Sequence, residues 1–130
     1  MIVDKNQPAN RNLWKWFDPR GRDMGTWAFI LNRITALGLT LYLFLHLIIL
    51  GQLALGPQYY NRFLQLLHNP IVIAAELLVV IAGIYHGLNG IRIGLTSFGV
   101  AVPSQKLMFW IVLALTILGS LFFAVRMFGG

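Results

Sequence analysis

Apolar residues run almost unbroken through three parts of this chain, roughly residues 27–51, 71–95 and 107–128, and polar residues collect before and between them. Each run exceeds the ~20 residues that a helix rising 1.5 Å per residue needs to cross ~30 Å of hydrocarbon. The pattern predicts an all-α membrane protein with three transmembrane helices. It divides the chain into a polar segment, residues 1–26, and a three-helix membrane domain, residues 27–130. Gly56-Pro57 opens the first connection, where residues 59–68 suit a short surface helix. Pro70 suits the first turn of the second span, where its missing N–H costs nothing. Residues 100–105, with Pro103, make the second connection.

Composition sharpens the class. Hydrophobic residues make up 58% of the chain and charged residues 11%, and mean hydropathy is +0.72, values that exclude an ordinary soluble domain. Three spans are few for a transporter, so a bundle this small is expected to share its core with a partner chain. Cysteine is absent, which excludes disulfides, cysteine-held iron–sulfur clusters and thiol chemistry by this chain. Any redox role must use another cofactor. Nearly thirty mostly polar residues precede the first apolar run, so that run is expected to stay as a span rather than act as a cleaved signal peptide.

Charge supplies the orientation. Lys5, Arg11, Lys15, Arg20 and Arg22 precede the first span, Arg62 stands alone between the first and second, Arg92 and Lys106 flank the second connection, and Arg126 is near the end. The positive-inside rule then places the N-terminus and the second connection in the cytoplasm of a multi-pass protein of the inner (cytoplasmic) membrane. The net charge of +6 is mostly this topology signal and does not point to nucleic acid. The same cytoplasmic excess can dock a soluble partner or anionic lipid headgroups. Leu13-Trp-Lys-Trp-Phe17, followed by the turn Asp18-Pro-Arg-Gly21, reads as an interfacial anchor or as an aromatic belt. Both readings put it at the headgroups.

The second span carries the candidate chemistry. Gly83, Gly87, Gly90 and Gly94 recur at helical spacing on one face, and His86 projects from the edge of that strip. A small-residue strip is a surface for close helix packing, or a flat face for a macrocycle whose iron an axial imidazole would hold. His46 is a second intramembrane histidine, on the first helix. Counted from the outer ends of their spans, the two histidines differ in depth by roughly 15 Å, too far to clamp one iron between them. Each would need a trans ligand from another chain, and two stacked macrocycles would fit across the membrane. Interfacial snorkelling or a structural hydrogen bond is the other reading of His46. His68, beside Asn69-Pro70, reads as a solvated loop histidine. Arg33, Glu76 and Arg92 are costly in a membrane unless paired or near an interface. Arg33 and Arg92 suit a propionate, a quinone carbonyl or the inner headgroups; Glu76 suits proton handling or a structural role.

Taken together, these residues resemble the cytochrome b subunit, the larger membrane anchor, of succinate dehydrogenase (succinate:quinone oxidoreductase). The resemblance covers nearly the whole chain after Trp27 and rests on three spans, on Asn32-Arg-Ile-Thr-Ala36 opening the first helix, and on His86-Gly-Leu-Asn-Gly-Ile-Arg92 matching the family's His-xxx-Gly-Ile-Arg signature. It implies half of a heterodimeric haem-binding helical bundle, completed by a smaller anchor subunit. By resemblance, His86 ligates haem b, His46 stands where two-haem members place a ligand for the distal haem, and Arg33 lines the quinone pocket, with Trp27 and Asn32 beside it. Arg92 is expected to contact the cofactor. Phe29 replaces a serine that many members use for the quinone, and Asn32 replaces a histidine. The implied partners are the small anchor, an iron–sulfur subunit, a flavoprotein subunit and quinone, with succinate oxidised on the flavoprotein. Two alternatives stay open: a cytochrome b anchor of another oxidoreductase, such as a hydrogenase or formate dehydrogenase, and a haem-free structural anchor.

Overall fold

The computed structural model describes Gly21 and residues 23–130. The proposed interfacial cluster at Leu13–Phe17 lies outside the described residues. Four α-helices follow one another: α1 (Met24–Gly51), α2 (Pro57–Leu66), α3 (Pro70–Ser97) and α4 (Gln105–Phe128). Short 3-10 turns precede α2 (Gln52–Leu55) and α4 (Val102–Ser104). No strand occurs among the described residues. Helices α1, α3 and α4 are long and apolar enough to span a membrane, and each extends a few residues beyond the apolar run that predicts it. The short helix expected around residues 59–68 is α2, begun by Pro57.

Local chemistry sets the boundaries. Asn69 caps α3 by accepting a hydrogen bond from the Ile71 N–H at 2.9 Å, and Pro70 occupies the first turn. At the other end, Gly99 adopts φ 77°, and this left-handed turn lets the Val100 N–H reach the Leu95 carbonyl at 2.9 Å. Ala101 is also left-handed, at φ 54°, which turns the chain into the Pro103 connection within a few residues.

Helix α3 is central, packed against α1 on one side and α4 on the other. The contact with α4 is tight at Gly119, where an added Cβ would lie 3.1 Å from Ile84. The buried core lies toward the Met24 end and consists of Ala28, Tyr85, Phe109 and Val112, with Met24, Leu31, Leu88 and Leu113 around it. The Tyr85 hydroxyl donates to the Ala28 carbonyl at 3.2 Å, tying α3 to α1. Most large apolar side chains point outward, as expected where lipid or another subunit replaces water.

Candidate functional site

A line of polar groups crosses from α1 to α3 within the apolar bundle. The His86 Nδ1 lies 3.2 Å from the Asn32 carbonyl oxygen and 3.2 Å from the Thr35 hydroxyl. A carbonyl can only accept, so Nδ1 carries the proton. The Thr35 hydroxyl spends its own hydrogen on the Leu31 or Asn32 carbonyl, at 2.8 and 3.0 Å, and so also offers lone pairs to the ring. In the neutral ring this tautomer puts the remaining lone pair on Nε2, the form in which imidazole binds a metal.

Asn89 extends this line. It is fully buried at 0% exposure, the most enclosed polar side chain among the described residues. Its Oδ1 accepts from Arg92 Nε at 2.9 Å, and its Nδ2 donates to Asn32 Oδ1 at 3.1 Å. Arginine has no acceptor, so the cation sets which way the Asn89 amide faces and, through it, which atom of Asn32 accepts. The same residue, Asn32, gives its carbonyl to His86. Five side chains, His86, Thr35, Asn32, Asn89 and Arg92, and the Asn32 backbone carbonyl thus form one connected set.

The glycine strip is open. Among the described residues nothing lies within 4 Å of a Cβ built on Gly87, Gly90 or Gly94, and Gly83 meets only a Leu39 methyl, at 4.0 Å. The close helix packing that a small-residue strip can provide occurs at Gly119 instead, leaving a smooth face beside His86 that neither α1 nor α4 covers. That face and the His86 imidazole are of a kind that could hold a flat macrocycle with a bound metal. No group of three or more His, Asp or Glu side chains converges among the described residues.

His46 is exposed, and its ring stacks on Tyr42 with centroids 5.5 Å apart. It follows Thr35 by eleven residues, about 20° around the helix, and so continues the α1 face that meets α3 lower down. The register set by the Thr35–His86 and Leu39–Gly83 contacts carries His46 to the level of Glu76. Ten residues of helix, about 15 Å, separate that level from His86, so the two histidines are apart. Glu76 itself is half-buried, and His68 is exposed in the loop after α2.

The expected quinone residues do not converge within this chain. Arg33 is exposed, with its guanidinium carbon 4.8 Å from the centre of the Phe29 ring. Trp27 instead lines an apolar groove with Met24, Leu31, Phe109, Trp110 and Leu113. Six residues of helix turn Trp27 about 120° from Arg33. Asn32 has its side chain committed to Asn89. Arg92 points toward α4, 5.9 Å from the Phe109 ring centre, and lies about 170° around α3 from the middle of the glycine strip. It therefore reaches His86 only at two removes, through Asn89 and Asn32. Sequence reasoning missed Asn89, Thr35 and Tyr85; the signal for Asn89 was its place midway between His86 and Arg92, three residues from each.

Comparison with known proteins agrees with this architecture. The family model described as succinate dehydrogenase/fumarate reductase transmembrane subunit matches residues 3–123. The chain is 37% identical over 91 residues to a succinate dehydrogenase 2 membrane subunit of Mycobacterium tuberculosis, covering 69% of this chain and 67% of that one. It is 34% identical over 114 residues to a succinate dehydrogenase hydrophobic membrane anchor subunit of Halobacterium salinarum, covering 87% and 84%. With three apolar helices and a match over nearly its whole length, the chain belongs to the succinate dehydrogenase/fumarate reductase transmembrane subunit family.

Proposed function

We propose that this chain is the cytochrome b half of the anchor: it holds haem b through His86, holds a second haem b through His46, and helps form a quinone site at Arg33. The observation that carries the reading is the His86 ring, bonded at Nδ1 to Asn32 and Thr35 and free at Nε2 beside an uncovered glycine face. Bound haem supplies one-electron storage between the iron–sulfur clusters of a partner and quinone. The chain's own residues do three things. Asn32 and Thr35 hold the imidazole in one tautomer and one orientation, Asn89 and Arg92 hold Asn32, and the glycines leave room for a flat ring. A second small anchor subunit would supply the remaining ligands.

His46 supports the second site because its ring is exposed on the α1 face that Thr35 and Leu39 turn toward α3, at a separate depth from His86. Arg33 is an exposed cation more than two turns into an apolar helix, a placement that calls for an anionic or carbonyl partner. A fixed positive charge there would favour the negative charge that develops on a quinone oxygen as it is reduced. The basic N-terminal side faces the cytoplasm of the inner membrane and docks the iron–sulfur and flavoprotein subunits. Family membership favours this assignment over an anchor of hydrogenase or formate dehydrogenase.

The test is purification of the complex through this chain, followed by two assays on wild type and Arg33→Gln. Flavoprotein and iron–sulfur subunits are expected to co-purify, and Arg33→Gln should lower succinate:quinone reduction by about tenfold or more while a soluble dye acceptor is still reduced at the wild-type rate. Equal loss with both acceptors would remove Arg33 from the quinone site, and absence of the soluble subunits would remove the tethering role.

A further inference from the structure

The Met24 end of the bundle holds a cavity of about 680 Å³, walled by all three spans and by the Pro103 connection. Two cations line it, Arg92 and Lys106, against one carboxylate, Asp23. Arg92 commits its Nε to Asn89, which fixes the side chain where it lines the cavity. Met24 and Phe109 belong both to this cavity and to the adjoining groove of about 420 Å³ formed with Trp27, Leu31, Trp110 and Leu113. A charged chamber at the end of the spans thus adjoins an apolar groove between α1 and α4.

We propose that this pair of spaces binds one anionic phospholipid, with its phosphate on Arg92 and Lys106 and one acyl chain in the groove. A basic pocket between transmembrane helices at headgroup depth suits a lipid phosphate, and the guanidinium fork suits a phosphate better than a single point charge does. The excess of positive charge selects an anionic headgroup over a zwitterionic one. The site lies on the α4 side of the bundle, away from the glycine strip, and does not depend on haem at His86. It gives Arg92 a ligand of its own while Asn89 ties it to the polar line.

The test uses the whole complex, purified in mild detergent and equilibrated with mixed micelles of equal phosphatidylglycerol and phosphatidylcholine, with retained lipid, quinone and haem measured on the same sample. One phosphatidylglycerol per complex should remain in wild type. Lys106→Gln and Arg92→Gln should each lower its retention about fivefold, with haem content unchanged in Lys106→Gln, a residue outside the polar line. Equal retention of both lipids, phosphatidylglycerol retention unchanged in Lys106→Gln, or loss of quinone in place of phospholipid would each overturn the proposal. A wild-type complex that lacks haem yet retains the lipid would overturn the haem reading and leave this one standing.

Discussion

The Nδ1 of His86 lies 3.2 Å from the carbonyl oxygen of Asn32, on the neighbouring helix. That contact joins ring orientation to helix packing: if α1 and α3 shift against one another, the imidazole loses its acceptor and its aim. Asn89 reinforces the joint, because it hydrogen-bonds Asn32 from α3 and is itself held by Arg92.

Replacing Asn89 by leucine should therefore affect more than stability. Interhelical hydrogen bonds within a membrane contribute about 0.6 to 2 kcal/mol each, so Asn89→Leu should lower the melting temperature of the complex in detergent measurably without unfolding it. Because Asn32 is released, the haem reduction potential or low-spin spectrum should shift as well. A lowered melting temperature with an unchanged spectrum would limit Asn89 to packing.

Two glycine substitutions separate the packing seam from the open face. Gly119→Val drives a side chain into Ile84, 3.1 Å from the first added carbon, and should cost about 1–3 kcal/mol. A Cβ added at Gly90, as in Gly90→Leu, meets nothing within 4 Å among the described residues. The substitution should leave membrane insertion unchanged but reduce haem content and association with the second anchor. Normal assembly and haem content in Gly90→Leu would return the strip to a lipid-facing surface.

The three spans, the short helix after Pro57 and the Asn69-Pro70 helix start are legible in the sequence because each depends on a local property: a long apolar run, or a residue type that suits a helix end. Which face meets which helix is not local. The strip from Gly83 to Gly94 reads equally well as a packing seam and as a cofactor face, and it is Gly119, on another helix, that takes the packing role. Trp27 and Arg33 are near in sequence, yet six residues turn them about 120° apart, so one lines the α1–α4 groove and the other faces outward. Asn89 was hidden because an asparagine in an apolar helix acquires meaning only when its partners on both sides are known.

His46 and His86 stand at different depths, so their contributions should be separable. Substituting His46 by alanine should remove one haem and keep the other, roughly halving the reduced-minus-oxidised absorbance. Unchanged absorbance would make His46 a structural residue beside Tyr42.

The most direct test of the central claim is haem b per complex, measured by pyridine haemochrome assay on wild type and His86→Ala purified through this chain. Two haems in wild type and one or none in His86→Ala, with spectral loss at the site His86 serves, is the result the account predicts. An equal haem content in the two proteins, or none in wild type, would contradict it.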